Sequence, residues 1–375
     1  MQHDKLRIQI DGTDLKDLHC DLISLEVELD EQLAGMFRLT LALLLQANGA
    51  WKFLDEDQFK IWRRVVITAG LKNDSRRLIT GYITHVRPDF GAGLEQCRLA
   101  IWGMDASVLM DRVDRLRDWP DKTDSDIAAQ IFRDHELIPA VTKTTVSHNN
   151  EVSTIIQRET DIQLLKRLAL RNGFECFVDG DTGYFRPPVL DSPPQPVLAL
   201  QFGKQTNVNK LSLEVNALAP ANVSMVQQDH TTGEIQQATA NTGKQRSFGA
   251  LPPNSDLPPK VKPGAVQIGQ TVTTGIAEME VLCRALYDRG EWFVTGEGEV
   301  SANQYGSILT PRGTVTIKGI GRTHSGVYYV THVTHRFTEQ GYVQRFRIKR
   351  NALMPTGTEN FSAGAGAFAS LVGGR

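Results

Sequence analysis

The side chains most able to do metal or acid–base chemistry in this sequence are a few histidines and carboxylates. His332 and His335 are three residues apart, but in a strand, where side chains alternate between faces, they project to opposite sides and cannot share a metal ion. Asp179 and Asp181 lie in a glycine-containing turn, and closeness in sequence does not supply the two carboxylates that flank a sugar in a glycosidase. We therefore predict no metal site and no catalytic carboxylate pair.

Motifs for phosphate binding and for nucleophilic catalysis are also missing. The segment Gly319-Ile-Gly-Arg-Thr-His lacks the third glycine of a dinucleotide loop, and no helix is expected after it. No G-x-S-x-G sequence occurs. The cysteines Cys20, Cys97, Cys176 and Cys283 form no C-x-x-C pair, which predicts buried thiols rather than a metal knuckle or a disulfide framework. The sequence predicts a protein that is not an enzyme and that needs no cofactor.

Length and composition are typical of a globular protein with two or three domains, because 375 residues exceed the usual size of one core. The net charge of −2 argues against a general nucleic-acid binder, since phosphate recognition usually requires an excess of basic residues. Residues 1–60 hold twelve acidic and six basic residues, whereas residues 312–350 hold eight basic residues and one acid. This asymmetry indicates either two ends that face different partners or two ordinary solvated faces.

The N-terminal sequence Met-Gln-His-Asp-Lys-Leu-Arg-Ile does not combine a basic start with an apolar core, so no signal peptide is expected. No apolar run approaches the roughly 20 residues that span a bilayer. We expect a protein that is made in a reducing cytoplasm and has no membrane segment.

Short alternating segments fill the first hundred residues, as in Leu6–Ile10, Leu25–Leu29 and Phe37–Leu41. A period of two predicts strands with one buried and one solvated face, which is typical of an antiparallel sheet or a small barrel. Closure into a barrel would protect the strand edges. We therefore predict that residues 1–105 form a first small β-barrel domain.

Helical periodicity follows this region. One amphipathic helix is predicted after an N-cap at Thr123 or Ser125. A second helix is predicted after Thr160, which forms a capping-box pattern with Gln163, and it should end at Gly173. A hairpin and a proline-rich boundary complete a predicted α/β domain that is inserted at residues 106–198.

Strand patterns resume and continue to residue 348, which predicts a second small β-barrel domain at residues 199–355. A helix is predicted at 276–289, and five prolines predict an exposed loop at 249–264. The fold class is therefore mainly β (α+β), with two similar small antiparallel barrels. Residues 356–375 are rich in Gly and Ala and predict a flexible tail. Its isolated apolar residues are Phe361, Phe368, Leu371 and Val372.

Two segments that are 247 residues apart share five identities in ten positions. Aligning Gly81–Phe90 with Tyr328–Phe337 pairs Tyr82 with Tyr329, Thr84 with Thr331, His85 with His332, Val86 with Val333 and Phe90 with Phe337. The same offset also aligns the apolar alternation of the next strand without a gap. Either the chain contains a duplicated β module, or two amphipathic strands coincide because pleated surfaces favour Thr, Val and Tyr. A duplicated module could occupy equivalent places in a larger ring.

The last strands resemble those of a known family, the baseplate hub proteins. This family comprises the phage late control D proteins of contractile tails and the N-terminal part of the valine-glycine-repeat spike proteins of type VI secretion. The matching segments are Gly313–Phe337, Gly341-Tyr342, Phe346, Arg350–Leu353 and, for the first barrel of the family, Leu78–Val86. The capped helix that ends at Gly173 is similar to the middle portion of the family.

The resemblance implies a trimeric ring, in which two barrels per chain give six positions that adapt a six-fold tail tube to a three-fold spike. The implied partners are two further copies of the chain, a tail tube protein and other baseplate proteins of a phage tail or injection particle. The sequence shows no OB-like module and no β-prism repeat, so a separate central spike protein is expected. We expect Phe361, Phe368, Leu371 and Val372 to bind that spike, and we expect no specific nucleic acid.

Two alternatives stay open from the sequence. A tail-associated peptidoglycan hydrolase would require a carboxylate pair in a cleft. An oligonucleotide-binding barrel would require exposed aromatic residues beside basic ones. The aromatic candidates near the C-terminal arginines are Tyr328, Tyr329, Phe337, Tyr342 and Phe346.

Overall fold

The computed structural model describes residues 6–15, 18, 20–55, 57–71, 74–148, 151, 153–229, 232–255, 257–269 and 271–362. Within these ranges the protein is mainly β, with predominantly antiparallel pairing and a few helices. No helix in the described part of the chain is both long enough and apolar enough to cross a membrane.

The first β module, residues 6–105, is a ladder of antiparallel strands. Its strands are β1 (Arg7–Ile10), β2 (Thr13–Asp14), β3 (Leu22–Asp30), β4 (Met36–Ala42), β5 (Arg64–Leu71), β6 (Asp74–Asp89) and β7 (Arg98–Asp105). Their order is β3-β4-β7-β6-β5-β1, with β2 beside β1. In β4, Phe37, Leu39 and Leu41 are buried and the residues between them are not, as strand alternation requires. Among the described residues no pairing joins β1 to β3, so strand pairing does not close the predicted barrel.

The inserted α/β module, residues 106–190, packs two helices against short sheets. Its elements are α1 (Ser107–Met110), β8 (Asp114–Trp119), α2 (Asp124–Asp134), β9 (Ile138–Val141), β10 (Ile155–Thr160), α3 (Asp161–Asn172), β11 (Glu175–Asp179) and β12 (Thr182–Arg186). The predicted N-cap at Thr123 is confirmed, because Thr123 and Asp126 form a reciprocal capping box at the start of α2. The predicted end of α3 at Gly173 is also confirmed by its left-handed φ of 66°.

The capping box predicted at the start of α3 is wrong. Thr160 precedes the helix, but its side chain makes no cap bond to it. Instead Thr160 Oγ1 donates to Asp111 Oδ1 at 2.6 Å, and Gln163 Nε2 donates to the same oxygen at 3.3 Å. A carboxylate is a stronger hydrogen-bond acceptor than a neutral oxygen. The side chains of Thr160 and Gln163 therefore both donate to Asp111, and neither caps the helix.

The second β module follows, and a helix-on-sheet unit interrupts it. The elements are β13 (Gln195–Ala199), β14 (Val208–Val215), β15 (Pro220–Gln228), β16 (Ile235–Ala240), β17 (Gly264–Ile268), α4 (Ile276–Gly290), β18 (Val294–Ser301), α5 (Ala302–Tyr305), β19 (Gly313–Lys318), α6 (Gly321–His324), β20 (Gly326–Thr338) and β21 (Gly341–Arg350). The predicted helix at 276–289 is confirmed as α4. It packs on the separate sheet β16-β15-β17 through Met279 and Cys283, a unit that the sequence did not predict.

The two β modules share one sheet. β3 pairs antiparallel with the second half of β20, so that Leu25 lies opposite Phe337 and Asp30 opposite His332. A single thirteen-stranded sheet therefore runs through both modules, a connection that the sequence does not predict. Phe337 of the second module also packs in the core of the first. The physical reason is that an edge strand lowers its free energy by pairing with any exposed edge beside it.

Candidate functional site

The two β modules have matching strand orders. The order β3-β4-β7-β6-β5-β1 corresponds to β14-β18-β21-β20-β19-β13, and each strand also takes the same place along the chain as its counterpart. One difference is that β1 is antiparallel to β5, whereas β13 is parallel to β19. The match means that each position in one ladder has an equivalent in the other.

Each module has a β-bulge at the same place in its longest strand. The pairing of β6 with β7 shifts at Thr84, and the pairing of β20 with β21 shifts at Thr331. These threonines are 247 residues apart and are aligned in the repeated motif. A bulge bends a strand locally and is set by the backbone around it, so the two ladders share an irregularity as well as a strand order.

The hairpin that follows the bulge is shorter in the second module. His85 pairs with Trp102, and His332 pairs with Arg347, so equivalent residues of β7 and β21 are 245 residues apart. The ungapped alignment expected for this next strand is therefore wrong by two residues. The error arises because alternation has a period of two, so that a shift of two leaves the apolar pattern in register.

The tyrosines of the motif both contact the α/β module. Tyr82 is half-buried and packs against the apolar core of that module. Tyr329 is fully buried, and its hydroxyl donates a hydrogen bond to Glu175 of β11. The same α/β module is thus attached to equivalent positions of both ladders.

The other motif residues lie in different surroundings in the two modules. His332 is half-buried, with Nδ1 3.0 Å from Asp30 Oδ2, whereas His85 is exposed. Phe337 is 5% exposed, whereas Phe90 is 56% exposed. The cause is β3, which covers this half of β20 and has no counterpart beside β6 in the described part of the chain.

The junction of β3 with β20 combines apolar burial with ion pairing. Leu25 and Val27 of β3, together with Val333 of β20, have no solvent exposure. On the opposite face of the sheet, Arg336 Nε lies 3.2 Å from Glu26 Oε1. The junction therefore has an apolar side and a charged side, as a strand-to-strand interface between two proteins would have.

Two strand edges correspond to this junction but have no partner strand among the residues that the structure describes. One is the outer edge of β6 at residues 84–89, because β5 pairs with β6 only as far as Tyr82. The other is the edge of β14 that faces away from β18. We call these the β6 edge and the β14 edge. Unpaired N–H and C=O groups make such edges templates for another strand.

An apolar groove of about 980 Å³ lies beside the β6 edge. Its lining includes Met36, Ile61, Val86 and Trp102, of which Met36 and Ile61 are exposed. Exposed apolar area next to an unpaired strand is typical of a site for strand addition, where main-chain bonds and side-chain burial act together.

The face of the shared sheet opposite the two cores carries charged residues of both signs. Arg345 of β21 lies 2.9 Å from Glu299 of β18, and Lys349 of β21 lies 2.6 Å from Glu31, just after β3. Opposite charges on neighbouring strands attract each other. They leave this face without the single-sign field that would concentrate nucleic acid.

Arg312 lies where the two β modules and the α/β module meet. Its guanidinium carbon is 3.7 Å from the ring centre of Phe177, and the group donates to the main-chain oxygen of Asp30. Burial lowers the pKa of Arg312, whereas burial raises the pKa of Glu175 and that of Asp105 nearby. Removing one partner of such a buried group would leave the other without compensation, so these residues hold the three modules together.

Of the aromatic residues considered for nucleic-acid stacking, four are buried and Tyr342 is half-buried. Tyr328 and Tyr329 have no exposure, and Phe346 is nearly as buried. Phe337 stacks on Tyr342 with ring centres 4.0 Å apart. Rings that are buried in a core cannot stack on bases, so four of the five rings offer no stacking surface to the oligonucleotide alternative.

The two histidines of β20 project to opposite faces, as predicted. His332 faces Asp30, whereas His335 is fully buried with Nδ1 2.8 Å from the hydroxyl of Tyr342. Within the described ranges, no group of three or more His, Cys, Asp or Glu side chains could hold a metal ion.

Three cysteines are buried free thiols, as predicted, namely Cys97, Cys176 and Cys283. The prediction is wrong for Cys20, which is exposed because it lies between β2 and β3, outside the alternating pattern. Burial raises the pKa of Cys176 to about 12 and also raises the pKa of Cys283. Both thiols are therefore protonated and unreactive at neutral pH.

Phe361 lies at the C-terminal end of the described chain. Its carbonyl oxygen accepts a hydrogen bond from Lys318 Nζ at 2.9 Å, and the same ammonium donates to Gln205 Oε1 at 2.6 Å. Three further residues with a predicted role at the spike, Phe368, Leu371 and Val372, lie outside the described residues. Spike binding by these four residues stays a prediction.

Sequence reasoning missed the buried charged residues Arg350 and Glu175 and the half-buried Arg312. Alternation in β21 places Arg350 on the same inward face as Phe346 and Ile348, so the pattern did contain that signal. No local pattern marks Glu175 or Arg312, because contacts between modules are what enclose them.

Solved structures that are similar to this chain include phage tail proteins. The 43 kDa tail protein of prophage MuSo2 from Shewanella oneidensis has a TM-score of 0.65 at 14% identity, with 93% of this chain and 99% of that chain covered. A tail protein from Neisseria meningitidis MC58 has a TM-score of 0.64 at 14% identity, with 93% and 97% covered. An E. coli component of the type VI secretion system has a TM-score of 0.52 at 11% identity, with 93% and 79% covered. These likenesses establish a shared fold.

The sequence was also compared with family models and with curated proteins. No curated protein has a significant match to the sequence. A family model described as the Alg8 N-terminal domain matches residues 2–339, which include most of both β modules and the whole α/β module. Because the match extends over most of the 375 residues, the chain belongs to the family of the Alg8 N-terminal domain.

Proposed function

We propose that the protein is a structural baseplate hub of a contractile tail or of a related injection machine. Three copies form a ring, and the six β modules of the ring fit a six-fold tail tube on one side and a three-fold spike on the other. One observation carries the proposal: each chain has two β modules of matching strand order that are joined edge to edge through β3 and β20. One chain therefore resembles two neighbouring positions of a larger ring.

The equivalent bulges at Thr84 and Thr331 support a duplicated module. Coincidence between two amphipathic strands would account for shared Thr, Val and Tyr. It would not account for the same irregularity at the aligned residue of two ladders that also share a strand order. Duplication is what a three-chain ring with six similar positions requires.

The solved structures support a role in a tail. The chain shares its fold with a prophage tail protein, with a second tail protein and, at a lower TM-score, with a type VI secretion component. The roles in those names belong to those proteins, and a tail or spike-adaptor role for this chain is our proposal. The tube protein, the spike protein and other baseplate proteins are its proposed partners.

Residues 356–375 hold the spike in this proposal. The bond from Lys318 to the carbonyl oxygen of Phe361 sets the place from which the remaining tail residues continue, next to the end of β19. A Gly/Ala-rich segment cannot bury its apolar residues by itself, so these residues can be buried only against a partner surface.

The mass of the full-length protein in solution tests the ring. Native mass spectrometry should give three chains, and electron microscopy should give closed rings with six similar lobes. A protein that stays monomeric at every concentration, also when the tube and spike proteins are co-expressed, would contradict the proposal.

Co-purification with the spike protein of the same particle tests the tail. A chain that ends at residue 355 should retain its trimeric mass and lose most of the bound spike. The triple variant Phe368→Ser, Leu371→Ser and Val372→Ser keeps the tail length and separates apolar contact from mere tethering. Unchanged spike recovery with both variants would refute the role of the tail without affecting the ring.

A further inference from the structure

We infer that a second copy of this chain docks its β14 edge on the β6 edge, in the register that β3 and β20 use within one chain. The inference rests on the proposed ring and names the strands that close it. Each chain contains one such junction and presents both halves of another. An interface of this head-to-tail kind repeats from copy to copy and closes into a ring when the rotation allows.

The register follows from the cross-strand pairs. Through β7 and β4, His85 is aligned across the sheet with Glu26 of β3. Through β21 and β18, its equivalent His332 is aligned with Ser212 of β14. Glu26 and Ser212 are therefore equivalent residues, 186 positions apart.

An independent feature supports this offset of 186. The pairing of β3 with β4 shifts between Leu22 and Ser24, and the pairing of β14 with β18 shifts between Val208 and Lys210. Adding 186 to the first pair of numbers gives the second pair. The bulges of β3 and β14 thus coincide, as those of β6 and β20 do.

Subtracting 247 from the residues of β20 and adding 186 to those of β3 turns each pair of the β3–β20 junction into a pair between two copies of the chain. The inferred pairs are Leu211 with Phe90, Ser212 with Asp89, Leu213 with Pro88, Glu214 with Arg87 and Val215 with Val86. Apolar residues meet apolar residues at both ends, and Glu214 meets the oppositely charged Arg87. Cross-strand pairs of these types stabilise a ladder.

The apolar residues of the β14 edge are more exposed than their equivalents at the junction of β3 with β20. Leu25 and Val27 are fully buried at the occupied junction, whereas their equivalents Leu211 and Leu213 are only half-buried. Val215, at the end of the same strand, is 46% exposed. Docking of a second copy would cover these residues and the apolar groove beside the β6 edge.

Pro88 sets the details of the inferred ladder. It pairs with Leu99 of β7, and a proline in a sheet directs its missing N–H away from the paired strand. The β6 edge therefore has one donor fewer than the matching part of β20. Main-chain N–H and C=O groups point to alternate sides of a strand, so those of Arg87 point toward β7. Arg87 and Glu214 would therefore form a non-hydrogen-bonded pair, with Cα atoms about 4.5 Å apart.

Such a pair has suitable geometry for an engineered disulfide. In a Cys20→Ser background, which removes the exposed thiol, the full-length variant Arg87→Cys/Glu214→Cys should oxidise to a covalent closed trimer on non-reducing gels. The control Arg87→Cys/Ser212→Cys keeps one cysteine and moves the other by two residues. We expect at least fivefold less cross-linking in the control.

Charge reversal gives a second test that does not depend on oxidation. Glu214→Arg or Arg87→Glu alone should lower the trimer fraction in dilution experiments at least tenfold, and the double variant should recover most of it. Glu234→Arg makes the same charge change in an exposed loop of the β15–β16 hairpin and should leave the trimer unchanged.

The outcomes separate the inference from the proposed function. A native trimer in which both cysteine pairs cross-link equally, or neither does, would overturn the strand assignment and leave the hub proposal standing. In-register cross-linking into open chains without closed trimers would support the strand pairing and overturn the three-fold ring. A monomer without cross-links would overturn both.

Discussion

Arg350 donates hydrogen bonds to the main-chain oxygen of Phe248 through both Nε and Nη2, at 3.1 and 2.7 Å. Its Nη1 donates to the main-chain oxygens of His324 and Ser325 at 3.0 and 3.2 Å, and Nη2 also reaches that of Met354 at 3.2 Å. The side chain has no solvent exposure. The guanidinium of Arg350, the last residue of β21, thus donates hydrogen bonds to carbonyl groups of three separate segments of the chain.

Replacing Arg350 should destabilise the protein strongly. Arg350→Met removes every donor and leaves several buried carbonyl oxygens unpaired, which predicts a loss of about 3–5 kcal/mol in the free energy of unfolding. Arg345→Met is the matched control, since Arg345 lies on the exposed face of β21 and pairs with Glu299. Its loss should be about 0–1 kcal/mol. Urea unfolding measures both, and losses within 1 kcal/mol of each other would count against the role of Arg350.

His335 predicts acid sensitivity. Full burial lowers its pKa to about 3, and its Nδ1 is hydrogen-bonded with the hydroxyl of Tyr342. Between pH 6.5 and 3 the unfolded chain binds a proton that the folded chain does not, so the stability that depends on neutral His335 falls as pH falls. From pH 7 to pH 4 this amounts to on the order of 3 kcal/mol at 1.36 kcal/mol per pH unit.

The variant His335→Gln should have a flatter pH dependence than the wild type over that window. It keeps a group that can hydrogen-bond with Tyr342 and removes the titration. Chemical unfolding at pH 7, 5.5 and 4 provides the comparison, and parallel curves for the two proteins would show that His335 does not bind a proton on unfolding.

Glu291 predicts a pH effect of opposite sign. Partial burial, and secondarily the nearby charge of Asp288, raises the pKa of Glu291 to about 7. It also lies at the C-terminus of α4, where the helix dipole disfavours negative charge. Between pH 4.5 and 7 the folded chain holds a proton that the unfolded chain has released, so stability falls as pH rises through this range.

Removing this carboxylate should therefore stabilise the protein above neutrality relative to the wild type. Relative to the wild type, the free energy of unfolding of Glu291→Gln should rise by about 1 kcal/mol between pH 5 and pH 8. This value is discounted because the side chain is partly solvated. The shift in thermal midpoint of the variant relative to the wild type, at both pH values, measures the effect. A shift that does not change with pH would contradict the assignment.

Gly319 predicts a steric requirement at the end of β19. Its φ is +84°, and an added Cβ would lie 1.8 Å from the main-chain oxygen of Leu200. Gly319→Ala should cost about 2–4 kcal/mol in the free energy of unfolding, since left-handed strain adds to backbone displacement. Gly321→Ala is the control, because its φ is +81° and nothing lies within 4 Å of the added carbon.

The control should therefore report the conformational cost alone, about 1–2 kcal/mol. Urea midpoints of the two variants give the comparison directly. If Gly321→Ala proved as destabilising as Gly319→Ala, contact with Leu200 would not be the cause.

Local patterns predicted several elements of this fold well. The cap at Thr123, the end of α3 at Gly173 and the helix at 276–289 all depend on residues within one or two turns of the chain. The capping box at Thr160 failed because Asp111, some fifty residues away, competes for the same side chains. Local reasoning has no access to such a competitor.

The candidate site was predictable only in part. The 247-residue offset aligned β6 with β20 and Thr84 with Thr331, but only the structure showed a bulge at each of these threonines. It could not locate the β6 edge or the β14 edge as free surfaces. Whether an edge is free depends on which strand lies beside it, and alternation of side chains carries no information about neighbours.

By itself the sequence determined the strand periodicity, the main helices and the likeness of two segments 247 residues apart, since each is written in residue types at short or constant spacing. Only the tertiary structure decided that Leu25 pairs with Phe337, 312 residues later, and that no strand among the described residues makes the same contact beside Phe90 and Leu211. The reason is physical: hydrogen bonds between main chains are the same for every residue, so the choice of partner strand depends on how whole modules pack.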